Sequence, residues 1–295
     1  MAQLPSDFFL NLQAFSAKSY RDSYPAIDPE LPEHSLVGKV VILTGGSDGL
    51  GKSAFGPAIA RAKASALVLV ARSQSALLEA KAEAEKANPS IKVSTISADV
   101  TDEKAVSDAF EQISKEFGPP DVLINNAGTF FGKSPIADMS FEDFETDIDV
   151  NVNGTFLATR AFLKLIGTKQ ATILNVSSAA GLWPGPCMSS YSLSKLVVAR
   201  MAELVALERP NVTAIAFHPG MLMTRLATDD FAPFALDKPT LPGGFAVWLL
   251  SPKAKFLNGR YVHANWDVEE MMQREKEIVD KNLLRVKLSG DFGKK

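Results

Sequence analysis

The sequence has one cysteine, three histidines and no long apolar run, and each scarcity narrows the class of protein. Because Cys187 is the only thiol among 295 residues, no disulfide can form within the chain, which is typical of a reducing compartment. No apolar stretch approaches the roughly 18 residues that a membrane-spanning helix needs. The N-terminus also lacks the basic segment of a secretory signal. These features predict a cytoplasmic protein with no membrane partner.

Basic residues are not in excess either. Lys and Arg total 31 against 34 for Asp and Glu, which gives a net charge of −3 and a pI near 5.7. A nucleic-acid-binding surface normally shows as a basic excess, so we expect no nucleic-acid partner. His34, His218 and His263 are scattered along the sequence without metal-ligand spacing. We therefore predict structural histidines and no metal site.

Short β-branched runs alternate with helical segments from Lys39 onward. The run from Val40 to Leu43 has no polar alternation, as is typical of a strand buried on both faces of a parallel sheet. Further runs occupy residues 66–70, 91–96, 122–124, 172–176, 212–217 and 259–264. The alternation predicts an α/β fold, with a doubly wound parallel sheet and right-handed crossovers over residues 39–295.

Residues 1–38 differ in character from the rest of the chain. They combine a short apolar patch with Pro25, Pro29 and Pro32, which break regular structure. We predict an N-terminal arm beside a single domain, packed either on the core or on a partner subunit.

A glycine-rich turn, Thr44-Gly45-Gly46-Ser47-Asp48-Gly49-Leu50-Gly51, directly follows the first predicted strand. Glycines in this context let the backbone approach a pyrophosphate, and the next helix points its N-terminal N–H groups at the anion. A plain strand-to-helix turn is the structural alternative. The flanking strand and helix favour a dinucleotide site in a Rossmann-type sheet. The predicted cofactor contacts are Gly45, Ser47, Asp48, Gly49, Leu50 and Gly51.

Tyr191 and Lys195 are four residues apart, so a helix would place them on the same face. A free tyrosine has a pKa near 10, and an ammonium about 5 Å away would lower it by about two units at an effective dielectric near 20. Such a phenol can act as acid and base near neutral pH. Ser178 precedes the pair. The tyrosine could instead be core and the serine could merely end a strand, but their combination favours an active site.

These motifs together resemble the short-chain dehydrogenases/reductases of the Tyr-x-x-x-Lys type, over roughly residues 39–268. The resemblance is carried by the glycine turn, Asn125-Asn126-Ala127-Gly128, Asn151, Ser178, Tyr191-x-x-x-Lys195 and Pro219-Gly220-x-x-x-Thr224. The proline-bearing arm and Asn265-Trp266-Asp267 look like a fungal branch often associated with secondary metabolism.

The resemblance implies four catalytic residues: Asn151, Ser178, Tyr191 and Lys195. Tyr191 would exchange a proton with the substrate oxygen, and Ser178 would hydrogen-bond that oxygen. Lys195 would also bind the nicotinamide ribose, and Asn151 would hold a water that links Lys195 to solvent.

The same resemblance implies further cofactor contacts. Asp99 and Val100 would lie along the adenine. The other contacts implied, behind the ribose and at the nicotinamide carboxamide, are Asn126, Ala127, Gly128, Pro219, Gly220 and Thr224. Relatives commonly dimerise through the helices at residues 141–166 and 191–207, so a homodimer or tetramer is expected. Apolar residues on the second helix that would suit either a core or such an interface are Leu193, Val197, Val198, Met201 and Leu204.

The choice of nucleotide depends on the end of the second strand. An NAD site usually places a carboxylate about 20 residues after the glycine turn. Ala71 occupies that place, and Arg72, which follows it, could bind the 2′-phosphate of NADP. Two points argue against NADP: Asp48 in the glycine turn favours NAD, and Arg72 could be only a solvated loop residue. We predict NADP.

Residues 182–188 and the segment after Thr224 are expected to bind substrate, with Phe231 and Phe234 as a lid. Their apolar side chains, including Trp183 and Met223, indicate an apolar small molecule. The sequence thus predicts an NADP-dependent oxidoreductase that interconverts a ketone and a secondary alcohol. The alternative is a cofactor-binding relative that acts as a lyase or isomerase, or senses NADP.

Overall fold

The computed structural model describes residues 4–227 and 229–289. Its parallel sheet has seven strands in the order β3-β2-β1-β4-β5-β6-β7. The strands are β1 (Val40–Thr44), β2 (Ala66–Ala71), β3 (Lys92–Ser97), β4 (Val122–Asn125), β5 (Ala171–Val176), β6 (Val212–His218) and β7 (Tyr261–His263). The predicted α/β fold with a Rossmann-type doubly wound sheet is confirmed.

Helices cover both faces of this sheet. In chain order they are α1 (Phe8–Leu12), α2 (Gly56–Arg61), α3 (Gln74–Ala87), α4 (Glu103–Phe117), α5 (Phe141–Ile148), α6 (Gly154–Ile166), α7 (Ser189–Glu208), α8 (Thr240–Leu249), α9 (Val268–Gln273) and α10 (Glu275–Asp280). Single π-helical turns lead into α2 and α6, at Gly51–Phe55 and Asp149–Asn153. The second of these joins α5 and α6 into the long helical segment that the sequence predicts.

Two hydrophobic clusters, one on each face, bury the strands. Val41 and Leu43 of β1 point into the cluster with α2, α3 and α8, whereas Ile42 points into the cluster with α4, α6 and α7. This alternation explains the uninterrupted apolar sequence of the strand, because both of its faces are covered. The core therefore comprises a layer on each side of the sheet.

The order of the strands reverses beside β1, and this positions the candidate site. The chain moves outward from β1 to β3 and then crosses back to β4, which pairs with the other edge of β1. In open α/β sheets, ligands bind at the carboxyl ends of the strands near such a switch point. The glycine turn follows β1 there, and Ser178 follows β5.

The N-terminal arm packs on the core of its own chain. Tyr24 and Ile27 are buried members of the cluster on the α8 face, and the Tyr20 ring stacks on Tyr24 at 3.7 Å between centroids. The indole of Trp266, just after β7, donates a hydrogen bond to the Gln13 carbonyl at 2.9 Å. Of the two alternatives for the arm, the structure therefore shows packing on the core. The division of the chain after residue 38 stays a prediction.

None of the helices within residues 4–227 and 229–289 is both long enough and apolar enough to cross a membrane.

Candidate active site

Helix α7 brings Tyr191 and Lys195 onto one face, one turn apart. The Lys195 ammonium lies 5.7 Å from the centroid of the Tyr191 ring and donates a hydrogen bond to the Val176 carbonyl at 3.0 Å. Val176 ends β5, and Ser178 lies two residues later. A hydrogen bond with the Ser178 side chain acts to lower the pKa of the Tyr191 phenol, against the larger effect of burial. Three of the four residues predicted to be catalytic, Ser178, Tyr191 and Lys195, thus meet where β5 ends, although Ser178 is on a different element from the other two.

Asn151 lies in the π-helical turn between α5 and α6, beside this group. Its amide oxygen accepts a hydrogen bond from the Thr129 N–H at 2.8 Å, and its amide nitrogen donates to the Thr129 carbonyl at 3.0 Å and to the Ser194 hydroxyl at 2.9 Å. A Cβ at Gly128 would stand 3.1 Å from the Asn151 amide oxygen and 3.3 Å from the Lys195 ammonium nitrogen. Asn151 therefore joins the segment after β4 to α7.

The electrostatics of the pair correct one expectation. Burial is the main cause that raises the pKa of the Tyr191 phenol, whereas the estimate from the sequence lowered it. That estimate counted the attraction of an ammonium and omitted the cost of burying a phenolate. Burial likewise lowers the pKa of Lys195, to about 8.

The sequence reasoning missed Asp147, a fully buried carboxylate on α5. It accepts hydrogen bonds from the Thr129 hydroxyl at 3.1 Å, the Phe131 N–H at 2.9 Å, the Gly132 N–H at 3.1 Å and the Ser190 hydroxyl at 2.6 Å. Its charge raises the pKa of both Tyr191 and Lys195. The only signal in the sequence is an acidic residue one helical turn before Asn151, which is too common to be diagnostic.

The glycine turn forms a close-fitting cradle with the segment after β4. Gly45 has φ of 61°, and a Cβ there would stand 2.7 Å from the Ala127 Cα. A Cβ at Gly51 would stand only 2.2 Å from the Gly45 carbonyl oxygen. The Asn126 amide donates to the Thr44 carbonyl at 3.1 Å and to the Gly45 carbonyl at 2.9 Å. These contacts suit the close backbone approach that a dinucleotide pyrophosphate requires.

Several of the remaining predicted cofactor residues are buried or partly buried. Leu50 packs partly on the core, Val100 is buried beside Gly154, and Pro219 and Gly220 are buried after β6. An open groove runs from the turn to the segment after β6. The groove is lined by Asp48, Gly49, Lys52, Ser53, Pro57, Glu83, Met223, Thr224 and Arg225.

Two charged contacts, one at the end of β2 and one at this groove, bear on the choice of cofactor. The Arg72 side chain is 72% exposed, and its guanidinium lies 3.9 Å from the Asp99 carboxylate. Asp48 forms an ion pair with Arg225, a residue that the sequence reasoning did not single out. The Asp48 charge is therefore partly balanced, which an inspection of the glycine turn alone could not reveal.

The expected substrate segments lie on the same side of the fold. Phe231 and Phe234 pack on Phe9 of α1, with ring centroids 5.9 Å and 4.9 Å away, so the expected lid contacts the arm. Trp183 and Met223 are exposed. Cys187 is exposed as well, and its φ is 59°.

The structure brings together two of the three histidines that are scattered in the sequence. His218 and His263 pair in register across β6 and β7, and their ring centroids are 4.9 Å apart. Burial lowers the pKa of His218 to about 3 and also lowers that of His263, so both are neutral at pH 7. Within the residues that the structure describes, no cluster of three or more His, Cys, Asp or Glu side chains could hold a metal.

Comparison with known proteins gives one consistent family. Residues 39–233 match the family model described as short chain dehydrogenase. The short chain dehydrogenase mpl6 of Monascus purpureus is 36% identical over 286 residues, which cover 92% of this chain and 95% of that protein. The short chain dehydrogenase andI of Emericella variicolor is 34% identical over 283 residues, with coverages of 92% and 95%.

A solved structure agrees with these sequence matches. A short chain dehydrogenase from Bacillus anthracis has a TM-score of 0.70 to this fold at 29% identity, over 78% of this chain and 96% of that one. The resemblance seen in the sequence motifs is confirmed, and its fungal branch agrees with the fungal relatives. The chain belongs to the short chain dehydrogenase family, whose members are oxidoreductases that use nicotinamide cofactors.

Proposed function

We propose that this protein is an NADP-dependent oxidoreductase that reduces a ketone on an apolar small molecule to a secondary alcohol, and catalyses the reverse reaction. The observation that carries the proposal is the pairing of a half-buried Tyr191 with a buried Lys195 beside Ser178, at the carboxyl edge of the sheet and next to the glycine cradle. Carbonyl reduction needs three groups from the protein besides the cofactor. Tyr191 supplies an acid, Ser178 a hydrogen bond to the substrate oxygen, and Lys195 a cation.

The four proposed catalytic residues divide the work at the substrate oxygen. When bound, the reduced nicotinamide supplies the hydride that the carbonyl carbon receives. Tyr191 donates its phenolic proton to the carbonyl oxygen, which Ser178 holds by a hydrogen bond. Lys195 remains largely cationic at pH 7, because its pKa is about 8, and its charge stabilises the phenolate that remains. Asn151 holds the segment after β4 against α7, and the water relay through it stays a prediction.

The raised pKa of Tyr191 bears on whether the enzyme mainly reduces the ketone or oxidises the alcohol at a given pH. A phenol whose pKa is raised stays protonated at neutral pH, so the resting enzyme carries the proton that ketone reduction consumes. Alcohol oxidation needs the phenolate and therefore a higher pH. This supports reduction as the favoured direction near pH 7.

The charges around the cofactor site favour NADP over NAD. The end of β2 carries Ala71, with no carboxylate to bind the ribose hydroxyls, and Arg72 is exposed and available to a 2′-phosphate. Asp48 would repel that phosphate, but Arg225 pairs with it.

The substrate side favours an apolar molecule. The exposed Trp183 and Met223, together with Phe231 and Phe234, supply apolar and adaptable contacts. The fungal relatives support a place in secondary metabolism, and the single Cys187 supports a cytoplasmic location.

A homodimer or tetramer is part of the same proposal. Leu193, Val197 and Leu204 are exposed along one face of α7, whereas Val198 is buried in the core. The exposed apolar face suits a self-complementary contact between two copies.

The decisive variant is Tyr191→Phe. We expect NADPH-dependent reduction across a panel of apolar ketones to slow by about two to four orders of magnitude, because the acid is removed. NADPH binding should be nearly unchanged in calorimetry. Tyr261→Phe is the matched control: its buried hydroxyl has no hydrogen-bond partner within the described residues, so turnover should stay within a few-fold. Wild-type turnover by Tyr191→Phe would contradict the assigned chemistry.

The non-redox alternative predicts different behaviour. A lyase, an isomerase or an NADP sensor would bind the nucleotide but would not oxidise NADPH with any ketone of the panel. Mass spectrometry of the small molecules that co-purify with the protein would then identify its ligand.

A further inference from the structure

Asp147 is a buried carboxylate at the junction of three elements. It lies on α5 and accepts hydrogen bonds from the N–H groups of Phe131 and Gly132, in the segment after β4. It also accepts a hydrogen bond from the Ser190 hydroxyl on α7. Among the ion pairs of the described residues, none involves Asp147. Its direct contacts are hydrogen bonds, and the Lys195 ammonium acts on it from a longer distance. Burying a carboxylate without a cation is costly unless several donors satisfy it. Such a site calls for an explanation in terms of function.

The residues that Asp147 holds are direct neighbours of the proposed acid, Tyr191. Ser190 precedes Tyr191, and its hydroxyl is held at 2.6 Å from the Asp147 carboxylate. Phe130, inside the segment that Asp147 binds, packs its ring on the Tyr191 ring with centroids 4.8 Å apart. Gly132 is equally constrained, since a Cβ there would stand 2.2 Å from the Ser190 hydroxyl oxygen. Asp147 therefore fixes both the start of α7 and the aromatic ring against which the phenol packs.

The charge of Asp147 acts on the same group. A negative charge in a low-dielectric environment opposes ionisation of a nearby phenol and favours a nearby ammonium. In accord with this, Asp147 raises the pKa of Tyr191 and that of Lys195.

We infer that Asp147 is a positioning residue for Tyr191, which fixes the start of α7 and the Phe130 ring against the phenol, and that its negative charge opposes loss of the phenolic proton. The inference rests on the proposed function. It differs from that function in needing only the protonation of Tyr191, which can be measured without any substrate.

Other titratable groups surround Tyr191 and have to be considered. Lys195 shares α7 with it, and Tyr261 on β7 is close enough for Tyr191 to raise its pKa. His218 and His263, at the ends of β6 and β7, are neutral above their lowered pKa values. Lys133 lies 5.1 Å from the Phe130 ring centroid, on the outer side of the segment. Asp147 remains the negative charge that the phenol experiences from α5.

The direct test titrates the phenol in the cofactor-free protein. The absorbance of tyrosinate near the ultraviolet edge is followed against pH, and Tyr191 is isolated by subtracting the Tyr191→Phe curve. Asp147→Asn should lower the pH at which Tyr191 ionises, because it removes a negative charge that opposes formation of the phenolate. Circular dichroism over the same range ensures that the protein stays folded. An unchanged titration would overturn the electrostatic part.

Two variants separate charge from contact. Ser190→Ala keeps the carboxylate but removes its link to α7, so it should lower turnover about 3- to 30-fold while the pH midpoint stays in place. Glu145→Gln makes the same charge change on the exposed side of α5 and should alter neither quantity. Wild-type turnover by Ser190→Ala would overturn the positioning part.

Activity gives a third readout. In Asp147→Asn, the alkaline decline of ketone reduction and the onset of alcohol oxidation should both move to lower pH, because each depends on the same phenol. A uniform loss of rate with no shift would show a merely structural residue. If Asp147→Asn does not fold, Asp147→Ser removes the same charge and leaves space for water to satisfy the N–H groups. A protein without reductase activity would refute the proposed function and leave the titration result standing.

Discussion

At the scale of single residues, the proposed preference for NADP rests on a few charged side chains after β2 and at the glycine turn. Arg72 extends into solvent with only a long contact to Asp99, so it can turn toward a phosphate with little to break. Asp48 and Arg225 form an exposed ion pair across the groove, and such pairs contribute little to stability. Nucleotide binding can therefore rearrange all of these charges at small cost.

Arg72→Ala should weaken NADPH binding by about 1.5–3 kcal/mol, the usual contribution of a charged hydrogen bond, and barely change NADH binding. Ala71→Asp in the same background should improve NADH binding, because it supplies an acceptor for the ribose hydroxyls. Isothermal calorimetry with both nucleotides measures these effects. Lys81→Ala removes a half-buried cation from α3 and is the matched control. Equal or tighter NADH binding by the unmodified protein would contradict the NADP assignment.

The same ion pair qualifies a simpler expectation about Asp48. The sequence alone suggests that Asp48→Arg would tighten NADPH by replacing a repulsive charge. Because Arg225 already pairs with Asp48, the substitution would also place two guanidinium groups side by side. The gain should therefore be smaller than the glycine turn by itself suggests.

At the scale of elements, the N-terminal arm supports the segment that follows β6. Arg21 of the arm pairs at 2.9 Å with Asp237, whose side chain is fully buried and also accepts the Met221 N–H at 2.7 Å. Phe9 packs on Phe231 and Phe234 farther along the same segment. The arm thereby contacts the segment that carries the proposed substrate-binding residues.

Arg21→Ala should lower the free energy of unfolding by about 1.5–3 kcal/mol, because Asp237 would lose a charged partner in a buried position. It should also raise the KM for the ketone several-fold and leave NADPH affinity unchanged. Denaturant unfolding and steady-state kinetics measure the two effects. Lys18→Ala removes an exposed charge from the same arm and should change neither. An unaltered KM would show that the arm stabilises the fold without shaping the substrate site.

At the scale of the whole molecule, helix α7 has one buried face and one exposed apolar face, and the exposed face is the proposed contact between copies. Val198 is buried in the core, whereas Leu193, Val197 and Leu204 extend into solvent on the same helix. Phe141 and Phe156, on the neighbouring segment from α5 to α6, are exposed as well. Exposed apolar side chains on these neighbouring helices support the proposed contact between two copies.

Leu204→Glu should convert the proposed oligomer toward a monomer, because a buried carboxylate at a two-fold contact meets its own copy. Light scattering should give at least twice the chain mass of 31.8 kDa for the unmodified protein, and a lower mass for the variant. Leu78→Glu makes the same change at an exposed leucine of α3 and should leave the mass unaltered. A monomeric wild type at micromolar concentration would refute the oligomer.

Features that arise from neighbouring residues could be predicted before the fold was known. Strand and helix periods predicted the doubly wound sheet, and the position of the glycine turn after β1 predicted the cradle. The spacing of Tyr191 and Lys195 placed both on one helical face, because the helical repeat depends only on local geometry.

Contacts between residues that are distant in the sequence could be identified only in the folded structure. Asp147 meets Ser190, Arg225 meets Asp48, and Arg21 meets Asp237, and no local pattern encodes these pairs. The direction of the Tyr191 pKa shift is of the same kind. It results from a competition between burial and nearby charges, and burial is known only when every element that packs around the phenol is in place.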